Sequence, residues 1–378
     1  MATETKTVKA TCLCASIQHE LTLPASQFPL KGLICHCDSC RHMSGALCVT
    51  IALMPSQYRP SQALIDKVQP FQFSKRSTQY HCPTCGTVMY FELADGPGSE
   101  VVYLVATGTV QAVEDVIEIQ GHGHIADTLD GGFSDLLTVI NDKPIPRRPH
   151  GTDKGEQLPL HWQSPSKPKV NNLSASDRLH AHCKCNGVSF WIARPSERSR
   201  LGMAAFSDPD VSQRSDIPSQ SSSEAWWIRA GGTKYSSGVC ACDSCRLACG
   251  MEWVEWAFVP TIDITLDAEG QIPFSTEFGT LKAYRSSSKA TRHFCGTCGA
   301  NVFWHGDVRP KVIDVAVGLL DAPEGARAET WLEWRTSCLD FREDAVHRAK
   351  SLTLGVEAGL REYEKWVHGS PPDTEKQA

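Results

Sequence analysis

The sequence has no long apolar run, no excess of positive charge and few helical patterns. A membrane-spanning helix needs about 20 consecutive apolar residues, and no run of that kind occurs. The formal net charge of −6 gives no electrostatic reason to expect nucleic acid or an anionic membrane as a partner. The first ten residues, MATETKTVKA, are polar and lack the apolar core of a signal peptide. We therefore expect a cytoplasmic protein with no membrane or nucleic-acid partner.

Cysteine is the residue that the sequence has in unusual abundance. The 378 residues include 17 cysteines, whereas the apolar content of 41% and the charged content of 21% are those of an ordinary soluble protein. Tight C-x-C and C-x-x-C clusters without a secretion signal favour thiolates that hold metal over disulfides. A disulfide-rich secreted protein is the alternative interpretation.

The cysteine motifs repeat in the same order in the two halves of the chain. The first half carries TCLC, CHCDSC and HCPTCG, and the second carries AHCKC, CACDSC and FCGTCG. This repeat predicts two related domains, at residues 8–140 and 178–345. The second domain has a longer interval between its first two motifs. We expect a solvated, Ser-rich insertion there, at about residues 195–225.

The segments outside the two repeats have a different composition. Residues 141–177 are rich in proline and basic side chains, which predicts a linker with little core of its own. Residues 346–378 are predicted to form a C-terminal helix and tail, because apolar residues there have near-helical spacing. Within the repeats, runs such as VSFWIA, VVYLVA and KVIDVAV are typical of strands. The sequence therefore predicts an all-β protein with few helices.

Each half offers seven repeating cysteines, which divide into a group of four and a group of three. A C-x-x-C-G turn is a zinc knuckle, in which glycine provides the positive φ angle that the turn needs. A C-x-C pair joined to such a knuckle makes a closed tetrahedral site, which we expect to hold structural zinc. The predicted four-cysteine sets are Cys12, Cys14, Cys82 and Cys85 in the first half and Cys183, Cys185, Cys295 and Cys298 in the second.

The remaining cysteines form a group of three in each half. They are Cys35, Cys37 and Cys40, and Cys240, Cys242 and Cys245. A catalytic zinc ion typically has three protein ligands and one open position. Three thiolates make the ion a weak Lewis acid that still accepts a soft sulfur ligand. A substrate thiol would lose its proton more easily there and could attack a small electrophilic carbonyl.

A fourth protein ligand could close either three-cysteine group. In the first half, His36, His42 and Cys48 are near in sequence. In the second half, Cys249 follows Cys245 by four positions and is the stronger candidate. We therefore expect an open site more in the first half than in the second.

Several histidines are candidates for proton transfer or metal binding, and a structural role stays open for each of them. The histidines nearest the cysteine motifs are His36, His42, His81 and His293. His122 and His124 form an H-x-H pair, which can bind metal or belong to a glycine-rich loop.

The order of motifs resembles the glutathione-dependent formaldehyde-activating enzyme family, which also includes centromere protein V. The family pattern is C-x-C, then C-x-C-x-x-C-[RQ]-x-x-[ST]-G, then F-C-x-x-C-G, and it covers most of residues 8–140 and 178–345. The resemblance implies two β-tent domains of packed antiparallel sheets, with one structural and one catalytic zinc in each. It implies a carbon–sulfur lyase that condenses glutathione with formaldehyde to S-hydroxymethylglutathione, so its partners would be a small thiol and a small carbonyl compound. A non-catalytic, zinc-stapled binding module is the alternative.

Neither half copies the family pattern completely. In the second half, Cys249 stands where the family prefers Ser or Thr, whereas the first half retains Ser44. The first half has His81 where the family has Phe and Gln79 where it often has Arg, whereas the second half retains Arg292. One half is therefore expected to be catalytic and the other structural, or the pocket forms between them.

Overall fold

The computed structural model describes residues 4–94, 100–151, 155–170, 173–200 and 225–369. Most of the regular structure is antiparallel β-sheet, and the helices are short apart from one at the C-terminus. The prediction of a mostly β protein with packed antiparallel sheets and few helices is confirmed. The predicted Ser-rich insertion falls largely on residues 201–224, outside the described residues.

The first half of the chain folds into a hairpin and a seven-stranded sheet. Its strands are β1 (Thr5–Thr11), β2 (Gln18–Pro24), β3 (Leu30–Cys35), β4 (Val49–Leu53), β5 (Gln69–Ser74), β6 (Ser77–His81), β7 (Val88–Ala94), β8 (Val101–Ala106), β9 (Ile117–Gly123), β10 (Val139–Ile140) and β11 (Lys143–Pro144). Strands β1 and β2 form the hairpin, β10 and β11 form a separate two-stranded sheet, and the seven-stranded sheet has the order β5-β6-β7-β8-β4-β3-β9. Only the β3–β9 pair of this sheet is parallel.

The second half repeats this plan. Its strands are β12 (Arg178–His182), β13 (Ser189–Ala193), β14 (Ile228–Arg229), β15 (Lys234–Cys240), β16 (Val254–Pro260), β17 (Ile264–Thr265), β18 (Leu281–Ser287), β19 (Ala290–Cys295), β20 (Asn301–Gly306), β21 (Val312–Ala316) and β22 (Leu332–Trp334). The long sheet has the order β14-β15-β16-β21-β20-β19-β18, with β22 parallel to β15. Strands β12, β13 and β17 form a separate small sheet, which corresponds to the hairpin of the first half.

Five α-helices connect or flank the strands of the described chain. They are α1 (Asp38–Ser44), α2 (Gln62–Ile65), α3 (Asp243–Cys249), α4 (Arg342–Val346) and α5 (Lys350–His368). Helices α1 and α3 are equivalent, since each starts next to a three-cysteine motif and ends at a glycine with a φ angle of 81°, Gly45 or Gly250. Among the described residues, no helix is long and apolar enough to span a membrane.

The two halves pack against each other through contacts that occur in matched pairs. The Gly318 N–H donates to the Gly45 carbonyl oxygen at 2.9 Å, and the Gly108 N–H donates to the Gly250 carbonyl oxygen at 2.9 Å. A Cβ atom at Gly45 or Gly250 would overlap backbone of the opposite half. The halves are therefore related by a pseudo-two-fold arrangement with direct backbone contact.

A second matched pair of hydrogen bonds is buried at this junction. The Leu47 N–H donates to Glu255 Oε2 at 2.8 Å, and the Glu252 N–H donates to Thr50 Oγ1 at 3.1 Å. Glu255 and Thr50 occupy equivalent positions on β16 and β4. A carboxyl group on one side and a hydroxyl group on the other therefore each accept a backbone N–H of the opposite half. The junction is polar at its centre and not purely hydrophobic.

The regions outside the two repeats also pack on the core. The glycine face of α5 lies against the first half, where a Cβ at Gly355 or Gly359 would overlap the backbone of Val139 or Leu136. In the segment predicted as a linker, Arg147 is 6% exposed and its Nη2 lies 2.6 Å from Asp135 Oδ1. The proposed linker thus contributes a buried ion pair, and its boundaries stay a prediction.

Candidate metal centres and pocket

The first four-cysteine set lies between the hairpin and the end of the large sheet. The Cys12 and Cys14 Sγ atoms are 3.4 Å apart, and Cys14 Sγ lies 3.7 Å from Cys82 Sγ. With Cys85, all four Sγ atoms lie within 4.8 Å of one another. The knuckle closes through Gly86, whose φ angle of 81° is one that glycine adopts without strain. The group can hold one metal ion.

The second four-cysteine set has the same construction in the second half. Cys185 Sγ lies 3.5 Å from Cys183 Sγ and 3.4 Å from Cys295 Sγ, and Cys298 completes a group within 4.8 Å. The backbone N–H of Val188 points at Cys183 Sγ at 3.3 Å. Such N–H groups stabilise the thiolate form that a metal ion requires.

Each three-cysteine group is held where a strand passes into a helix. In the first half, Cys35 ends β3, and Cys37 and Cys40 lie at the start of α1, with Cys40 Sγ 3.5 Å from Cys35 Sγ. In the second half, β15 and α3 place the equivalent cysteines in the same way. In the described part of the chain, no fourth His, Cys, Asp or Glu ligand atom joins either group.

Cys249, the residue considered as a fourth ligand in the second half, directs its thiol elsewhere. Its Sγ donates toward the Cys245 carbonyl oxygen at 3.4 Å, four residues back in the helix. Ser44 in the first half does the same, since its Oγ donates to the Cys40 carbonyl oxygen at 3.0 Å. Cys249 therefore takes the place of a helix-terminal serine. Burial raises the pKa of this thiol above its usual value.

A cavity of about 340 Å³ opens on the three cysteines of the second half. Aromatic side chains form part of its wall, and arginines and aspartates form the rest. The Arg309 guanidinium makes a bidentate ion pair with Asp314, and Arg335 pairs with Asp340. The residues of the wall include Cys240, Cys242, Cys245, Trp256, Phe258, Arg292, Trp304, Arg309, Asp314, Arg335 and Asp340.

Arg292 connects this cavity to the cysteines. Its Nη2 lies 3.5 Å from Cys245 Sγ, and its buried Nε and Nη1 have no partner among the described residues. Neighbouring thiols and then the Arg292 charge hold the pKa of Cys245 well below its usual value. The equivalent residue in the first half is Gln79, whose amide donates instead to the Cys298 carbonyl oxygen at 2.7 Å. The two three-cysteine groups therefore have different electrostatic surroundings.

The candidate histidines are dispersed over separate environments. His36 Nε2 lies 2.9 Å from His122 Nδ1 in a fully buried pair. His81 and His293 are buried, and burial lowers the pKa of each to about 4. His124, the other half of the H-x-H pair, has a left-handed backbone conformation with a φ angle of 59°. None of these rings belongs to a group of potential ligands within the described chain.

His42 lies at the junction of the two halves, next to His182 and Asp321. Sequence reasoning considered His42 as a fourth ligand for the neighbouring cysteines or as a proton-transfer group, and did not consider His182 or Asp321. It also missed the cavity wall formed by the aromatic residues and by Arg309 and Arg335. No local motif marks these residues, because they come from separate strands that only the fold brings together.

The model of the glutathione-dependent formaldehyde-activating enzyme family matches residues 7–124 and 227–336. These segments cover more than half of the chain, so the protein belongs to this family. Comparisons with curated proteins and with solved structures found no significant match. The second matched segment starts after Cys183 and Cys185. The structure nevertheless places these two cysteines next to Cys295 and Cys298, which lie within the segment.

The cysteine groups suit the metal that this family binds. Soft sulfur donors grouped within 4.8 Å match the preference of Zn²⁺ for tetrahedral thiolate coordination. The closed groups of four suit structural ions, and the groups of three leave one position for another ligand. The division into structural and catalytic ions stays a prediction.

Proposed function

We propose that the protein is a zinc-dependent carbon–sulfur lyase that makes or breaks thiol adducts of small carbonyl compounds. The observation that carries the proposal is the cavity of about 340 Å³ on Cys240, Cys242 and Cys245, a group without a fourth protein ligand among the described residues. We assign the reaction to the second half, where Arg292 accompanies the cysteines. Glutathione and formaldehyde are the proposed substrates, in line with the family.

The reaction joins a thiol and an aldehyde without oxidation or reduction. A sulfur–carbon bond forms, the carbonyl π pair moves to oxygen, and that oxygen takes up a proton while the thiol loses one. Zinc held by the three cysteines would have one open position, and a thiol bound there would have a lowered pKa. The reverse reaction breaks the same bond and releases both substrates.

The cavity residues account for binding and charge stabilisation. Arg292 offsets the surplus negative charge of three thiolates, and its unpartnered N–H groups can donate to the oxygen that gains charge. Trp256 and Trp304 offer apolar surface to the body of the substrate. Arg309 and Arg335 also line the wall, but Asp314 and Asp340 pair with their guanidinium groups, so this side of the cavity offers a peptide-like thiol polar groups of balanced charge.

The test compares two equivalent cysteines. Cys242→Ser removes one ligand from the second-half group, and Cys37→Ser is the matched change in the first half. We expect the zinc-loaded Cys242→Ser protein to fall to the uncatalysed rate of adduct exchange, measured by NMR exchange spectroscopy. The Cys37→Ser protein should retain most of the activity. Arg292→Gln, which copies Gln79, should lower the rate by about 100-fold if the guanidinium stabilises developing charge.

The alternative, a zinc-stapled binding module, gives a different result. In that case the zinc-loaded wild-type protein would show no acceleration with glutathione and either formaldehyde or larger aldehydes. Its tryptophan fluorescence would also not respond to glutathione or to the adduct, because Trp256 and Trp304 would face no ligand. That combination would overturn the lyase proposal.

A further inference from the structure

A cluster of histidines surrounds one carboxylate where the first half meets the second. His42 Nε2 lies 3.1 Å from Asp321 Oδ1, and His182 Nε2 lies 2.8 Å from Asp321 Oδ2. The two imidazole rings are stacked, with centroids 4.2 Å apart and an angle of 11° between their planes. One ring nitrogen of each histidine and a carboxylate oxygen lie within 4.8 Å of one another. None of these residues belongs to the lyase site proposed above.

Hydrogen bonds on the far side of each ring determine where its proton lies. His42 Nδ1 is 2.8 Å from the His182 carbonyl oxygen, and His182 Nδ1 is 3.0 Å from the Cys183 carbonyl oxygen. A carbonyl oxygen only accepts, so each Nδ1 carries the proton. The Nε2 atom of each neutral ring is then a lone pair that faces a carboxylate oxygen. Each Nε2 lone pair therefore faces a carboxylate oxygen that also only accepts, and a cation between them would bind both.

Other groups hold the carboxylate in place. His180 Nδ1 lies 3.3 Å from Asp321 Oδ2, and its Nε2 is 2.9 Å from Ser189 Oγ. Arg41 Nη2 lies 3.5 Å from Asp321 Oδ1, but its Nε is paired with Asp38 at 2.9 Å, which offsets part of its charge. Imidazoles that donate their second N–H to an acceptor, with a carboxylate that is itself hydrogen-bonded, are typical of metal sites.

The pseudo-two-fold arrangement supplies an internal comparison. At the other junction, the Gln111 N–H donates to the Lys9 carbonyl oxygen at 2.9 Å, as the Asp321 N–H donates to the His180 carbonyl oxygen at 2.9 Å. The residues equivalent to Asp321, His182 and His42 are therefore Gln111, Thr11 and Leu247. The Gly108 N–H still donates to the Gly250 carbonyl oxygen across the halves there, without an imidazole or a carboxylate. The direct bond from the Lys184 N–H to the His42 carbonyl oxygen is replaced there by the Thr87 hydroxyl, which links the Leu13 N–H to the Leu247 carbonyl oxygen. The fold does not require the cluster, so its residues need another explanation.

We propose that His42, His182 and Asp321 form a site for a divalent first-row transition ion, such as zinc, that bridges the two halves. Two imidazole nitrogens and a carboxylate suit such ions. The side chain of His42 is 6% exposed, whereas those of His182 and Asp321 are 22% and 32% exposed. The site is therefore open to solvent on one side, where water completes the coordination. The ion is held by nitrogen and oxygen, unlike the ions of the cysteine groups.

The competing explanation is that protons replace the ion. It requires both rings to be charged, face to face at a centroid distance of 4.2 Å and beside Arg41. A single proton would satisfy one Nε2 and leave the other lone pair against the carboxylate. A metal ion instead satisfies both nitrogens and the carboxylate at once.

The experiment uses the full-length, zinc-loaded chain and adds Co²⁺ or Zn²⁺ as the only probe. The variant combines His42→Leu with Asp321→Gln, which are the residues that the chain itself uses at the equivalent junction. We expect isothermal titration and native mass spectrometry to show about one fewer metal ion per chain in the variant. X-ray absorption of the added ion should show nitrogen and oxygen neighbours without sulfur. His305→Gln, at a partly exposed histidine outside the cluster, should bind like the wild type.

Two results would overturn the proposal. One is a wild-type protein that binds no ion beyond those held by sulfur. The other is a variant that binds the same number of ions with unchanged affinity. If the double variant does not fold, His182→Thr repeats the test with the residue found at the equivalent position, Thr11. Because the readout is metal binding, the result does not depend on whether the lyase proposal is right.

Discussion

Replacing Glu255 by Gln should change how the stability of the protein depends on pH. Glu255 is fully buried at the junction of the halves, and its Oε1 has no hydrogen-bond partner among the described residues. Burial raises the pKa of its carboxyl group from 4.5 to about 8. Between about pH 4.5 and pH 8, the carboxyl group is therefore protonated in the native protein and ionised in the unfolded chain.

The sign and size of the effect follow from that difference. The contribution of the neutral Glu255 carboxyl group to stability is complete below about pH 4.5 and is lost as the pH rises toward 8, because ionising Glu255 in the folded state costs free energy. At about 1.36 kcal/mol per pKa unit, the shift of the Glu255 pKa from 4.5 to about 8 corresponds to about 5 kcal/mol of stability. Between about pH 6 and pH 9, where thiolates keep their zinc, about 2.5 kcal/mol should be lost. Glu255→Gln removes this contribution.

The measurement is the free energy of unfolding in urea at fixed free zinc, for wild type and variant at each pH. The difference between them should grow by about 2.5 kcal/mol from pH 6 to pH 9 in favour of the variant. Thr50→Val is the matched control, since Thr50 accepts the equivalent N–H without a titratable group. It should cost about 1–3 kcal/mol at every pH. Parallel curves for wild type and Glu255→Gln would refute a carboxyl group that is neutral in the native state.

Three further substitutions test the packing and the metal sites. Gly250→Ala should destabilise the protein by about 2–4 kcal/mol in urea unfolding, because the φ angle is 81° and the new Cβ would overlap a carbonyl group of the first half. The control Gly231→Ala, at a φ angle of 65° with no atom within 4 Å of the new Cβ, should cost only the backbone strain. Equal losses of stability in the two variants would contradict this reasoning. Arg327→Met should cost about 3–5 kcal/mol, because it leaves the buried Asp135 carboxylate without the guanidinium 2.9 Å away, and a neutral result would mean that Asp135 is satisfied by its other partners. Cys82→Ser should lose about one zinc ion per chain by native mass spectrometry and lower the Tm, whereas an unchanged zinc content would exclude this four-cysteine site.

The cysteine groups could be predicted because the repeat encodes them. Cys12 and Cys82 are distant in sequence, but each belongs to a two-cysteine motif that needs a second pair to complete four ligands. The β-structure was predictable for the same kind of local reason, as in the run that forms β8. The difference between Gln79 and Arg292 was visible in the sequence. Only the structure shows that Arg292 contacts Cys245, whereas Gln79 donates to the Cys298 carbonyl oxygen.

The relative placement of the two halves could not be predicted. The hydrogen bond from Leu47 to Glu255 joins residues 208 positions apart, and no pattern in either segment marks the pair. The orientation of Cys249 was equally hidden, since a helical side chain can turn to its neighbours or back to the carbonyl four residues earlier. Only the three-dimensional packing decides between these possibilities.

The pseudo-two-fold junction has a consequence for how the protein can vary. In a dimer of identical subunits, every substitution at such a junction appears twice, so a carboxyl group placed at one position would also occupy the equivalent one. Here the two copies are encoded separately within one chain, and a change alters one side alone. Glu255 is therefore matched by Thr50, and His42 by Leu247. The covalent connection also keeps the halves at a fixed effective concentration, so an unequal pair does not have to compete with two equal ones.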